Sequence, residues 1–295
     1  KMNKEIVVLY HAFCDDGMGS ALAAYMKFGD SAEYIPVEYK DPIPNVSGKE
    51  VYIFDFSYPR DVLLDPALGA KSITMLDHHV GAQRDWNVGM YADVDRNILV
   101  RFDMDRSGAM LAWNYLFPDT EPPMLIKHIQ DSDLWKFSMS DTKNFISNLR
   151  SHPMDMETWV GLLEHTSKKE DYELFLRDGV AQTRFFKNQI NFILNKSPLV
   201  PVTIGGVNGH AINANATFSS DMGAEISAVN GSFGLIYFID GDTVKCSLRS
   251  QKGSNCDVSE LGKLYGGGGH AAAAGMVVPL KTFITEILCK EICRA

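Results

Sequence analysis

The sequence predicts an α/β protein in two parts: an N-terminal parallel sheet with helices on both faces, then a linker helix and a smaller C-terminal α/β domain. Three observations carry this. Short apolar runs rich in β-branched residues (Glu5-Ile6-Val7-Val8-Leu9-Tyr10, Val51-Tyr52-Ile53-Phe54 and Ser72-Ile73-Thr74-Met75-Leu76) alternate with helical patterns, the rhythm of βαβ units. Each run stops on polar residues: His11, Asp55 and Asp77-His78-His79. Finally, a long helical stretch over 171–195 ends at Lys196-Ser197-Pro198, after which hairpin patterns take over. The expected domains are 1–196 and 197–295.

After the first strand, residues 19–28 read as a helix whose small Ala21, Ala23 and Ala24 allow close packing on a sheet. Strands follow at 32–36 and 51–54, separated by the polar, proline-bearing loop 41–48. A short helix at 61–68 leads to the strand ending at Asp77. Beyond that triplet the pattern turns helical. Asp105-Arg106-Ser107-Gly108 opens a helix through Leu116, and Pro122-Pro123 pre-sets another that delivers Asp131. A further helix is expected at 155–164. In the second domain, strands at 200–204 and 209–213 flank Gly205-Gly206, and a helix covers 220–229. Strands at 232–239 and 243–250 flank the hairpin turn Asp240-Gly241-Asp242. A helix at 257–265, a glycine run, a strand at 275–278 and an amphipathic helix at 280–294 close the chain.

At 295 residues and 45% hydrophobic content the chain can bury a sizeable core. A net charge of −9 argues against a broad grip on long duplex nucleic acid and leaves short, locally clamped anionic substrates. The five cysteines form neither paired CxxC motifs nor a disulfide framework. No apolar run reaches membrane-spanning length and no basic-then-apolar leader precedes the first strand, so a reducing cytoplasm is expected, with Met2 read as the natural start.

Ligands of open α/β sheets gather at the carboxyl ends of the strands. Histidines and carboxylates from separate strand ends converge only if the strands lie side by side, and such convergence builds a site for two divalent metals. Arg106-Ser107 at a helix start is a further phosphate candidate, although an N-cap explains Ser107 equally well.

Five blocks in order make the chain resemble the DHH phosphoesterases with a DHHA1 domain. They are His11 with Cys14-Asp15-Asp16-Gly17, then Asp55, Asp77-His78-His79, Asp131, and Gly266-Gly267-Gly268-Gly269-His270. The resemblance implies a metal-dependent phosphoesterase that hydrolyses phosphodiester bonds of short oligonucleotides or small nucleotides with metal-activated water. Inorganic polyphosphate or pyrophosphate is the rival substrate, and a catalytically impaired nucleotide-binding protein is the non-enzymatic alternative. It further implies one or two ions per chain, manganese first, with cobalt, iron or magnesium as alternatives.

Carried over residue by residue, one metal is held by His11 and Asp55, and the other by Asp16, Asp55, His78 and Asp131. The opening motif departs from the commoner family spacing, and it leaves Cys14 and Asp15 open as ligands; Asp133 stands open as a substitute for Asp131. Asp77 is implied to orient a ligand histidine and His79 to act on the phosphate. Arg249 and the loop of Gly267, Gly268, Gly269 and His270 are implied to hold substrate.

Overall fold

The computed structural model describes residues 4–39, 41–93 and 95–288. They form two compact units, 1–184 and 185–295, each built on its own six-stranded sheet.

The first sheet contains β1 (Ile6–His11), β2 (Ala32–Val37), β3 (Glu50–Phe54), β4 (Ser72–Asp77), β5 (Met90–Asp93) and β6 (Ile98–Phe102), in the spatial order β2-β1-β3-β4-β6-β5. All pairings are parallel except that of the edge strand β5 with β6. Both faces are buried because successive side chains point to opposite sides. Val8, Phe54 and Leu76 join one core, with helices α1 (Asp15–Phe28), α4 (Gly108–Leu116), α5 (Met124–Asp133), α6 (Thr142–Leu149) and α7 (Met156–Thr166). Val7, Leu9, Ile53 and Met75 join the other, which reaches α2 (Arg60–Leu64) and α3 (Val80–Trp86).

Helix α3 follows the triplet, but the strands β5 and β6 correct the expectation that the chain is helical from there on. Ile98, Val100 and Phe102 alternate into the core, which is the period of a half-buried strand. The helix expected over 61–68 is broken at Asp65-Pro66 into α2 and a 3₁₀ turn, because the proline ring cannot continue α2.

The long helix α8 (Lys169–Lys196) crosses from the first unit into the second. The second sheet, in the order β11-β12-β10-β9-β8-β7, comprises β7 (Val200–Ile204), β8 (Val207–Asn213), β9 (Phe233–Asp240), β10 (Thr243–Ser250), β11 (Gly268–His270) and β12 (Ala273–Pro279). Its pairings are antiparallel except β8 with β9. Helix α9 (Ser219–Asn230) and the end of α8 cover one face around Ile190, Met222 and Ile236, while α10 (Val258–Lys263) packs on the other. After β12 the chain continues as a helical turn at Leu280–Thr282 and a π-helical segment at Phe283–Leu288. The remainder of the helix expected to 294 lies outside the described residues.

Candidate metal centre

Strands β1, β3 and β4 are consecutive neighbours in the sheet, and their carboxyl ends bring His11, Asp55 and His78 together. Asp55 is the hub. One of its oxygens, Oδ1, lies 3.1 Å from His78 Nε2; the other, Oδ2, lies 3.3 Å from Cys14 Sγ and 3.5 Å from His11 Nδ1. Its two oxygens thus face two donor groups. His11 and Cys14 stand by Oδ2; by Oδ1 stands His78, which clusters with Asp16 and Asp133 and also, together with Asp55, Asp77 and His79, forms a third group able to hold an ion. Asp55 is buried and takes a left-handed backbone, φ +56°, a conformation that costs a non-glycine residue on the order of 1–3 kcal/mol and that concentrates at functional sites.

Asp16 enters from the first turn of α1, whose N-cap is Cys14: the thiol sulfur accepts the Gly17 N–H at 3.1 Å. The Asp16 carboxylate also caps α4, accepting the N–H groups of Gly108 at 2.5 Å and Ala109 at 2.9 Å, and it lies 3.4 Å from His78 Nε2. Two glycines make room for this. A side chain at Gly17 would overlap the His11 carbonyl oxygen, and one at Gly108 would overlap Asp55. Gly108 has no counterpart among the expected site residues.

Asp77 is buried and fully engaged. Its Oδ1 accepts the His78 N–H at 2.7 Å and lies 2.7 Å from His79 Nδ1, while Oδ2 accepts Ser57 Oγ–H at 2.6 Å. It therefore holds the ring of His79 and the backbone of His78, and both histidines stand in one donor cluster with Asp55. Rings near His79 include those of His78 at 4.8 Å, His11 at 5.8 Å and Tyr39 at 6.1 Å between centroids.

Four candidate ligands separate on geometry. Asp131 points away from the cluster: its oxygens accept Ser138 N–H and Oγ–H, Met139 N–H and Thr142 Oγ–H at 2.5–3.1 Å. With both oxygens saturated it anchors the loop after α5, and Asp133 at the end of the same helix stands 3.6 Å from His78 in its place. Asp15 pairs with Arg150 at 2.7 Å and turns out of the cluster, whereas Cys14 turns in. Arg106 is paired with Asp103 and lines a polar groove of about 460 Å³ with Lys127, Gln130 and Lys136; Ser107 is the α4 N-cap.

The electrostatics fit a cation. Burial, and then the charge of Asp55, raise the Asp16 carboxyl, and the neighbouring charge of Asp16 raises that of Asp133 on the exposed side of the cluster. Burial, Asp55 and Asp16 raise the Cys14 thiol well above its ordinary range. For Asp55 the penalty of burial is overcome by hydrogen bonds from His11 and His78, which hold it below the ordinary carboxylate range. His78 and His79 resist the effect of burial, His78 through Asp16 and Asp55 and His79, at about 9, through Asp77. Several buried acids compete for too few protons, and divalent ions satisfy such a set better than protons do. The mixture of imidazole nitrogen and carboxylate oxygen, with one thiol, suits borderline ions such as manganese, iron, cobalt or zinc.

In the second unit Arg249 is largely buried against Gly223 of α9. Its Nη2 donates to Ser220 Oγ at 3.2 Å and its Nη1 to the Leu248 carbonyl at 2.9 Å. Burial lowers its pKa. Beside Ser220, the Ser219 hydroxyl is buried without a hydrogen-bond partner among the described residues. The glycine run is not an open loop: Gly268, Gly269 and His270 pair with β12, and a side chain at Gly267 would overlap the Gly275 carbonyl.

No family model matches the chain. An uncharacterized protein of Acanthamoeba polyphaga mimivirus is 28% identical over an alignment 291 positions long that covers 92% of this chain and 66% of that protein, so the chain spans just under two thirds of that relative. Among solved structures, the pGpG-specific phosphodiesterase PggH of Vibrio cholerae aligns over 95% of this chain and 94% of its own, at 13% identity and a TM-score of 0.45. Exonuclease RecJ bound to manganese aligns over 95% and 87%, at 12% identity and a TM-score of 0.47. RecJ of Thermus thermophilus with Mn2+ aligns over 95% and 50%, at 11% identity and a TM-score of 0.45. The two-unit α/β architecture expected from the sequence is the one observed. No helix among the described residues is long and apolar enough to cross a membrane.

Proposed function

We propose that the chain is a metal-dependent phosphoesterase of the DHH type that hydrolyses phosphodiester bonds of short oligonucleotides or small nucleotides. One observation carries the reading: the two oxygens of Asp55 face separate donor groups, His11 with Cys14 on one side and His78 with Asp16 and Asp133 on the other. A carboxylate so placed can serve two ions at once. His11, Cys14 and Asp55 would hold one and Asp16, Asp55, His78 and Asp133 the other. Bound divalent ions supply an acidified water and neutralise phosphate charge.

The chain's own residues do the rest. Asp77 holds His79 through Nδ1, which leaves Nε2 as the ring atom able to give a proton to, or hydrogen-bond, a phosphate oxygen. The rings of Tyr39 and Phe56 stand 5.3 and 6.1 Å from that of His11. In the second unit, the Arg249 guanidinium, held by Ser220 and the Leu248 carbonyl, would offer a charge-assisted contact to a phosphate.

The test is hydrolysis with added manganese against short RNA, linear and cyclic dinucleotides, nucleoside monophosphates and polyphosphate. Release of mononucleotides from short linear substrates supports the reading. Faster turnover of polyphosphate, or tight nucleotide binding with no turnover at stoichiometric metal, overturns it.

A further inference from the structure

Two aromatic side chains flank the donor groups and belong to no core. Phe13 stands between His11 and Cys14 in the chain and is 85% exposed; Trp135 follows Asp133 by two residues and is 40% exposed. Both have left-handed backbones, φ +56° and +52°. For a bulky aromatic residue that is a true outlier, which persists only where the surroundings impose it. Those surroundings are visible. The chain at Phe13 is held by the Ala12 N–H on the Val37 carbonyl and by the Cys14 cap, and the Trp135 loop by the four hydrogen bonds onto Asp131. Phe137, also left-handed, braces the indole edge-on at 4.9 Å, and Lys143 lies over the Phe137 ring at 4.9 Å. Scattered exposed aromatics are ordinary. Two in strained backbone, one beside each donor group joined by Asp55, are not.

We infer that Phe13 and Trp135 are specificity-determining residues that stack the two nucleobases on either side of the scissile phosphate, making a base-bearing linear dinucleotide the substrate class. The inference rests on the phosphoesterase reading and deepens it. A phosphodiester centred on Asp55 would carry one nucleoside toward His11 and Cys14 and the other toward Asp133, the residues beside which the exposed Phe13 and Trp135 stand in the chain. Every base presents a π-face and stacks on such platforms with little sequence preference. Inorganic polyphosphate has no such face and would gain nothing from either ring.

The test uses the full chain with manganese. Trp86, Trp113 and Trp159 are buried, so quenching of the exposed fraction of tryptophan emission reports on Trp135. A purine dinucleotide should quench it, the abasic dinucleotide should not, and W135F should lose the effect. In kinetics, Phe13→Ala and Trp135→Ala should each raise the dinucleotide KM by roughly 5- to 150-fold, with metal content kept and kcat little changed, and Phe13→Trp and Trp135→Phe should restore it. Unchanged KM in both alanine variants, or equal quenching by the abasic compound, overturns the stacking role. Quenching by the dinucleotide with no hydrolysis by the wild-type chain overturns the phosphoesterase reading while leaving base stacking in place.

Discussion

Asp77 Oδ1 sits 2.7 Å from His79 Nδ1 and accepts the backbone N–H of His78 at the same distance, so one buried carboxylate sets both the ring of His79 and the chain that carries His78. His79→Ala should therefore abolish turnover and keep its metal, because Nδ1 of that ring is engaged by Asp77, whereas Nε2 of His78 faces Asp16, Asp55 and Asp133. His78→Ala should lose both. Metal analysis of the two purified variants decides it, and equal metal loss would reverse the assignment.

Asp55→Ala should lower metal content at both positions together. Its two oxygens serve different donor groups, so removal of one side chain strips each group of a ligand and leaves Asp16 and His78 facing each other at 3.4 Å. Retention of wild-type manganese stoichiometry would refute a shared carboxylate.

Asp131 and Asp133 should separate cleanly. Asp131 accepts four hydrogen bonds from Ser138, Met139 and Thr142, so Asp131→Asn should cost on the order of 2–4 kcal/mol of stability by leaving donors unsatisfied. Asp133→Asn should leave the melting temperature of the metal-free protein nearly unchanged and weaken metal binding. Urea unfolding beside metal titration of each variant makes the comparison.

This pair also marks the limit of what the sequence made legible. Asp55 and Asp77-His78-His79 could be found because a strand end has one place to go in a parallel sheet, and neighbouring strands bring such ends together. Asp131 and Asp133 lie about 200° apart around one helix, so only one can face the site, and the rotation of α5 is set by how Ile126 and Ile129 pack. Cys14 and Asp15 posed the same difficulty at the start of α1, where the thiol turned inward and the acid outward to Arg150. The edge of the sheet is legible only in part: the apolar run from Ile98 to Val100 carries the strand signal, but the short, polar-ended β5 beside it hides the pairing.

Stability should fall with acid through His128. This ring is fully buried, lies 3.0 Å from Thr142 Oγ and 2.8 Å from Tyr172 OH, and stacks on Phe145 at 4.3 Å. Burial lowers its pKa to about 4. The unfolded chain takes up a proton near the ordinary value of about 6.5 and the folded chain does not until about 4, so the contribution is complete above roughly pH 6.5 and is lost as pH falls toward 4. Its size is roughly 3 kcal/mol. The melting temperature of His128→Gln should fall less steeply over that window than that of the wild type, and parallel curves would remove His128 from the acid response.

Gly108 tests whether the site depends on close backbone approach. Ser107 caps α4 and Asp16 receives the first N–H groups of that helix, which draws the helix start against the Asp55 Cα. Alanine has the better helix propensity by about 1 kcal/mol, so at an open helical position Gly108→Ala would stabilise the chain. Here the added methyl would overlap Asp55 Cβ and Cγ, and neither the buried carboxylate nor its left-handed backbone has room to yield. Gly108→Ala should therefore shift Asp55 and lose metal affinity by at least about tenfold, with a lower melting temperature. Gly161→Ala on α7, where a side chain meets nothing within 4 Å, supplies the control and should be neutral or stabilising. If Gly108→Ala behaves like Gly161→Ala in metal titration and thermal unfolding, the approach of α4 to Asp55 does not shape the metal centre.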